Sequence, residues 1–491
     1  MIIRNLTSAF AIWLSGIYLL FIPNIIIIDS SITTSTYDLQ RLFEILLLCS
    51  TSGFLLFHNN SRKWWLNYFA GFSATSKFLL ASFFLLGFLS AIFVAPLPKY
   101  ALQELSLFAL LFVLAINIAA QIQQNSNKLR MVLLTAIFIT VAIISWQFVL
   151  EYFFSLLDGS ITIKNNNFFW RFLNLRLFNQ FQTWTLPFLA LPFLLYYKKT
   201  GHWRILLLLP ATLWWTFWLH SGGRATGVAT IIGVLVVWLI FRKKAFPFLM
   251  FLAGTLLLGV MLYLIMFLEF EKSSGATLII DQASDGGLIR VATKAESQRM
   301  AMWLAALKMA WSNPWLGIGP QQYAFYHPIQ NVAHPHNATL QVLAEWGGLA
   351  FICFFLLVLL GFISWIKNIT QTVSDTTKNV DSYFFMALTA SFVAAGVHAQ
   401  LSGILVMPVS QVTGVIVIAL MLSYSPQYPV EIANSRQSYQ HLLLSLFIFA
   451  MGATLIWSIF PDIKRLEEDK TVFVESRYND GIFHPRFWQQ G

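Results

Sequence analysis

The stretch His334-Pro-His-Asn-Ala-Thr-Leu-Gln-Val-Leu-Ala-Glu-Trp-Gly-Gly-Leu-Ala350 joins a polar turn to an apolar run long enough to enter a membrane. Asn337 suits a helix N-cap, since its side-chain oxygen can accept from the open N–H groups of the first turn. Pro335 fits just outside that helix. At about 100° per residue, Asn337, Gln341, Glu345 and Gly348 share one narrow face, while Val342, Trp346 and Leu349 share the other. A carboxylate in lipid costs several kcal/mol, so Glu345 is expected to face a protein interior or a wet cavity. The rest of the chain can be read by asking what it brings towards His336.

The surrounding sequence is that of a polytopic membrane protein. Of 491 residues, 57% are hydrophobic and 11% charged, and the mean hydropathy is +0.68. No soluble domain hides that much apolar surface. The 46 Phe and 18 Trp suit lipid-facing and interfacial positions. Cys49 and Cys353 both lie in apolar runs, so neither a disulfide framework nor a Cys-based metal site is expected. Apolar runs at 6–28, 39–57, 78–95, 100–120, 131–154, 183–197, 205–220, 225–241, 247–268, 338–366, 384–406, 409–424 and 442–460 predict an all-α membrane helix bundle of about 12–13 spans. No small-residue cleavage site follows residue 28, so the first run is kept as a span. The expected organisation is a transmembrane bundle at 1–268, a partly helical outer loop at 269–337, further spans at 338–460 and a tail at 461–491.

Charge then orients the bundle. Loops after even-numbered spans carry Arg62, Lys63 and Lys77, then Lys128 and Arg130, then Lys198, Lys199 and Arg204, then Arg242, Lys243 and Lys244. Loops after odd-numbered spans are acidic or mixed, with Asp29, Asp38, Lys99, Glu104, Glu151 and Asp158. The formal charge of +10 therefore reflects one basic membrane face, not a nucleic-acid partner. By the positive-inside rule the N-terminus is cytoplasmic, and the long loop with His336 lies outside, periplasmic in a Gram-negative cell. On a count of thirteen spans the tail is outside as well.

Two outer loops are more than connectors. Residues 165–182 set aromatics among Arg171, Asn174, Arg176 and Asn179, as an amphipathic segment lying in the interface would. Residues 295–312 read as a helix with Arg299, Trp303, Ala306 and Ala310 on one face, ended by Asn313-Pro314. Among groups that could carry chemistry, His336 has a reference pKa of roughly 6.5 and could act as a general base; the alternative is an interfacial histidine that caps a helix. His334 is either its companion or a turn former beside Pro335. Arg224, among Gly222, Gly223 and Gly227, is either a phosphate site at a helix N-terminus or an anchor snorkelling to headgroups. Arg290, Arg299, Arg171 and Arg176 add positive charge to the same face. Asp281-Gln-Ala-Ser-Asp-Gly286 lacks a close carboxylate pair and reads as a plain loop. His398, with Gln400 and Ser402, either lines the same cavity or is a satisfied intramembrane histidine. There are no repeats, no Rossmann fingerprint and no P-loop.

Together these motifs resemble the O-antigen ligase superfamily, which also holds O-antigen polymerases and protein (pilin) O-oligosaccharyltransferases. The resemblance rests on Arg299-Met-Ala-Met-Trp303, Asn313-Pro-Trp-Leu-Gly-Ile-Gly319, His336-Asn-Ala-Thr-Leu340, Glu345-Trp-Gly347 and Ser221-Gly-Gly-Arg224. The stretch from His398 to Pro408 is similar to the family's histidine-bearing span, and the similarity runs roughly from Arg176 to Tyr424. The family's Asn-Pro-Asn near the sixth span is replaced by Asn179-Gln-Phe-Gln182. The resemblance implies an enzyme of the bacterial inner membrane, active on the periplasmic face. It would move a preassembled glycan from a polyprenyl (undecaprenyl) diphosphate to an acceptor hydroxyl, with inversion and without a metal or other cofactor. It further implies Arg224 and Arg299 on the diphosphate, Arg176 or Arg290 assisting, His336 at the acceptor hydroxyl, and Asn337 and Glu345 holding it. The acceptor would be the lipid A core for a ligase, in lipopolysaccharide biosynthesis. A polymerase would take another lipid-linked repeat, and a protein transferase a Ser or Thr. A polysaccharide flippase is the more distant reading; it would call for repeats and broken midplane helices.

Overall fold

The computed structural model describes residues 9–25, 35–125, 128–157, 170–172, 175–196, 201–269, 293–325, 333–374, 379–425, 434–463, 466 and 486–488. Arg290, the Asp281–Gly286 loop, Lys198 and Lys199 fall outside them. The described chain is all-α. Its helices are α1 (Phe10–Phe21), α2 (Thr36–Phe57), α3 (Asn59–Ala70), α4 (Ala74–Phe93), α5 (Pro98–Asn125), α6 (Lys128–Leu157), α7 (Leu175–Thr185) and α8 (Ala190–Tyr196). They continue as α9 (Leu209–Ser221), α10 (Arg224–Phe241), α11 (Phe246–Tyr263), α12 (Thr293–Ser312), α13 (Ala338–Ser374), α14 (Asn379–His398), α15 (Pro408–Leu422) and α16 (Asn434–Ile463).

Length and composition alone make several of these membrane spans. Among the described residues seven helical stretches are long and apolar enough to cross a bilayer, one of them (Arg224–Phe267) holding both α10 and α11. Shorter apolar helices accompany them at Phe10–Asn24, Ile205–Ser221, Ser382–His398 and Pro408–Leu422. Phe57, Ile231, Leu257, Ile352, Phe355 and Phe449 are exposed on the outside of the bundle. Such a band of large apolar side chains is tolerated in lipid and not in water. The chain is a multi-pass membrane protein.

At the centre stands α5, with 89% of its apolar window buried, whereas α13 buries only 11% of its own and lies at the rim. Helices from before and after the long loop pack together. α10 lies along α14, α13 along α4, and both α15 and α16 along α5. Glycine permits two of these approaches. A Cβ on Gly233 would fall 2.6 Å from the Ala390 carbonyl oxygen, and one on Gly87 would fall 2.3 Å from the Trp346 ring. In membranes, where apolar burial does not drive helices together, such small-residue contacts supply the close packing.

Three predicted segments differ from what forms. The expected sixth span is not one helix: α7 gives way to a 3-10 turn at Leu186–Leu189 before α8. Pro187 and Pro192 each remove a backbone donor there. The expected interfacial segment lies partly outside the described residues, and its last part does not lie at the surface, because every residue of α7 from Leu177 to Thr185 is buried. The span predicted at 384–406 stops at His398, and turns lead on to Pro408. The basic residues Arg62, Lys77, Lys128, Arg130 and Arg242–Lys244 sit at helix ends remote from His336. Arg130, for example, donates to Ser423 at the far end of α15, 3.0 Å from its Oγ.

α13 breaks at Gly347 (φ 83°). A helix break frees backbone groups that lipid cannot solvate. The turn at 313–319 pairs them. Ile318 N–H donates to Ala344 O at 2.9 Å, Gly319 N–H to Glu345 O at 2.9 Å, and Gly348 N–H to Pro314 O at 2.8 Å. The fit needs glycine on both sides. A Cβ on Gly317 (φ 67°) would lie 2.5 Å from Glu345 O, and a Cβ on Gly347 would lie 2.4 Å from Trp315 O. A Gly347→Ala change should therefore destabilise the purified protein by at least ~1–3 kcal/mol from backbone strain alone. Gly361→Ala, at a position of the same helix with nothing within 4 Å of the added Cβ, should leave the melting temperature in detergent unchanged.

Candidate active site at the His334–His336 turn

The turn before α13 is held from several directions. Asn337 caps the helix as its sequence position requires: its Oδ1 accepts from Leu340 N–H at 2.9 Å. Its Nδ2 donates to Gln400 O at 3.1 Å, and Ala338 N–H donates to Ala399 O at 2.8 Å. Thr339 Oγ1 donates to Gln400 Oε1 at 2.7 Å. One carbonyl just past the end of α14, Ala399 O, thus satisfies an N–H left open where α13 begins, while Gln400 takes two side-chain donors. Across the turn, Trp303 Nε1 donates to Pro335 O at 3.1 Å.

His336 is half-exposed and adopts φ 52°, the left-handed region that non-glycine residues seldom occupy. Its N–H donates to His334 Nδ1 at 3.2 Å, and the two rings meet edge to face with centroids 4.2 Å apart. Because His334 Nδ1 accepts, the neutral His334 ring carries its proton on Nε2. That ring is buried against backbone. A Cβ on Gly403 would lie 2.3 Å from its Cε1. A strained histidine, fixed on all sides and still reachable, is the sort of outlier from which a functional role is properly inferred.

The predicted arginines lie on helices that contacts tie to this turn. Arg299 is exposed on α12. It stands one helical turn before Trp303, hence about 6 Å from the residue that grips Pro335. Arg224 opens α10 at the Gly222–Gly223 turn, with its side chain exposed and its N–H donating to Gly222 O at 2.8 Å. Gly222 has φ 61° and ends α9, and Gly223 leaves room for Asn179, whose Nδ2 would be 2.6 Å from an added Cβ. Asn179 Oδ1 accepts from Ser221 Oγ at 2.9 Å. Its carbonyl accepts from Thr183 at 2.9 Å and from Thr226 at 3.0 Å. Thr183 Oγ1 in turn lies 2.7 Å from His398 Nδ1. Gln180 Nε2 donates to Ser402 Oγ at 3.2 Å, next to the Gly403 that receives His334. A chain of contacts thus runs from Gly223 through Asn179, Thr183 and His398 towards the segment that seats His334.

Several predicted roles do not fit where the side chains lie. Glu345 is fully buried. Its Oε1 accepts from Tyr323 N–H at 2.9 Å and its Oε2 from Arg486 at 2.6 Å, so it holds the fold and not a substrate. Asn337 has both ends of its amide occupied by the cap and Gln400. His398 is 2% exposed and bonded to Thr183, a satisfied intramembrane histidine that faces no opening. Arg171 is buried and ion-paired with Glu151 at 2.7 Å, while Arg176 is exposed in the first turn of α7. Sequence reading missed Glu104, Arg41 and Arg486. Their one visible signal was charge next to or inside apolar runs, which pairs far apart in sequence leave unreadable. Among the described residues no three His, Cys, Asp or Glu side chains gather as a metal site would need.

Residues 206–355 match the family model described as O-antigen ligase. No curated protein matches the chain. The match is narrower than the stretch that the motifs suggested, yet it takes in Arg224, Arg299, the 313–319 turn and the His334–Gly347 segment. That domain supports a membrane glycosyltransferase of the O-antigen ligase or polymerase type. A change of Gly403 to Ala should push the His334 ring out of its seat and lower glycan transfer by about 100-fold, as ångström-scale misplacement does. Gly396→Ala, also before the turn but with nothing within 4 Å of its Cβ, should transfer normally in the same assay.

Proposed function

We propose that this chain is an O-antigen ligase, transferring a preassembled glycan from undecaprenyl diphosphate to the lipid A core. The observation that supports the reading is the family match over residues 206–355, which takes in Arg224, Arg299 and a strained, half-exposed His336. Loop charge supports a periplasmic position for the His336 end of the bundle, and an all-α bundle supports the inner membrane. Arg290 and Arg176 are proposed to add positive charge to the same face.

In the proposed reaction an acceptor hydroxyl attacks the anomeric carbon from the side opposite the diphosphate. The new C–O bond forms as the bond to the diphosphate oxygen breaks, which inverts the centre. The hydroxyl proton passes to the His336 ring. Negative charge grows on the leaving diphosphate, and Arg224 and Arg299 meet it; guanidinium forks match phosphate oxygens and remain charged at any physiological pH. A lipid diphosphate is already a good leaving group, so positioning and charge stabilisation supply most of the acceleration. His334 orients its neighbour through the bond from His336 N–H.

With purified lipid-linked glycan and lipid A core, His336→Ala should lower kcat by about 10²–10⁴-fold, the range of a lost general base. Full activity in a properly folded His336→Ala protein would exclude that role. Arg224→Gln and Arg299→Gln should each weaken donor use, with their double variant short of additive. The acceptor is read from the glycan profile of a deletion strain. Loss of long chains on lipopolysaccharide marks a ligase, altered chain lengths a polymerase, and an unmodified pilin a protein transferase.

A further inference from the structure

Outside the matched residues lies a heavily bonded buried charge. Arg486, far along the chain beyond α16, is buried against α5 and α13. Its guanidinium grips Glu104 with both edges, Nε to Oε2 at 3.1 Å and Nη2 to Oε1 at 2.8 Å. The same Nη2 reaches Glu345 Oε2 at 2.6 Å. Nη1 donates to Ala333 O at 3.3 Å. With its amide oxygen turned inward, Gln341 accepts from Nη1 at 3.2 Å and from Nη2 at 2.8 Å. The polar face that the sequence placed on α13, Gln341 and Glu345, thus has one cation as its object.

The backbone around this side chain is fixed from the opposite side. Tyr37 Oη donates to Arg486 O at 2.7 Å, and Arg41 Nε donates to Phe487 O at 3.0 Å. Arg41 also holds Val406 O at 2.6 Å and Gln411 Oε1 at 2.5 Å, and pairs with Glu44. Trp488 Nε1 donates to Asp462 Oδ2 at 3.2 Å. Arg486 therefore cannot drift. Ala333 and Gln341, the backbone and side chain that it holds, bracket the His334–His336 turn on both sides.

We propose that Arg486 is a positioning residue for glycan transfer: it sets the place of the His336 turn by clamping Ala333 on one side and the first two turns of α13 on the other. The inference rests on the transferase reading but can be checked separately from it. It differs from simple charge balance. Two buried carboxylates need a cation wherever the chain is read, but only positioning requires the bonds to Ala333 and Gln341. Lysine would keep the charge and lose the fork that makes several bonds at once.

The test uses the full chain in proteoliposomes with lipid-linked glycan, comparing Arg486→Gln, Arg486→Lys and the double variant Arg486→Gln/Glu104→Gln. Each is followed by kcat, donor KM, melting temperature and amide exchange across residues 334–341. Arg486→Gln is expected to cut kcat by about 100-fold with KM within about twofold, the cost of ångström-scale misplacement near the reacting atoms. Exchange should quicken in 334–341 and stay unchanged at the basic end of the bundle. The double variant, relieved of one carboxylate, should regain melting temperature but not kcat or slow exchange. Arg486→Lys should behave in the same way. Wild-type kcat and exchange in folded Arg486→Gln would overturn the proposal, as would recovery of kcat together with stability in the double variant. If the wild-type protein fails to transfer glycan, the functional reading falls, and the exchange data still decide whether Arg486 fixes the turn.

Discussion

A helix that breaks inside a membrane leaves backbone donors and acceptors that lipid cannot satisfy, and the break in α13 at Gly347 governs the rest of this structure. The turn at 313–319 meets those groups with three backbone hydrogen bonds, and it can come close enough only because Gly317 and Gly347 have no side chains. Once that junction forms, α12 must run alongside α13 with Trp303 over Pro335, and Tyr323 must lie over Glu345. The orientation of the His334–His336 turn follows from these contacts.

Charge is handled in the same economical way. Of the acidic groups near this end, Glu104 and Glu345 share Arg486, Glu44 pairs with Arg41, and Glu151 pairs with Arg171. Buried pairs of this kind are costly to form and more costly to break. They remove most nearby arginines from any contest for a phosphate. Arg224 and Arg299 are instead exposed, each on a helix within the matched domain. The division between guanidiniums that hold the fold and guanidiniums at its surface is what separates Arg171 from Arg224, although the sequence gives both an aromatic and polar neighbourhood.

The polar interior also explains the departure at Asn179. Where the family pattern has proline, this chain continues α7 as a helix through Gln180 and Gln182. Asn179 uses its side chain on Ser221 and its carbonyl on Thr183 and Thr226. It joins the arginine-bearing turn to the His398 span and is itself buried.

Read alone, the sequence determined the membrane class, most of the helices, the end of the bundle on which His336 lies, the cap at Asn337 and the stop after Ser312. Each of these follows from local periodicity, from the residue at a helix terminus or from the sign of a loop, and those signals sit within one or two turns of the residues they govern. The tertiary structure decided that Glu345 and His398 are buried and paired, that the sixth span is broken, and that residues 177–185 lie inside the bundle. It alone brought Arg486 onto Glu104 and Ala333, across 382 and 153 residues of chain. A hydrogen bond between such distant groups leaves no periodic mark in sequence, because its partners are set by how helices pack and not by their spacing along the chain.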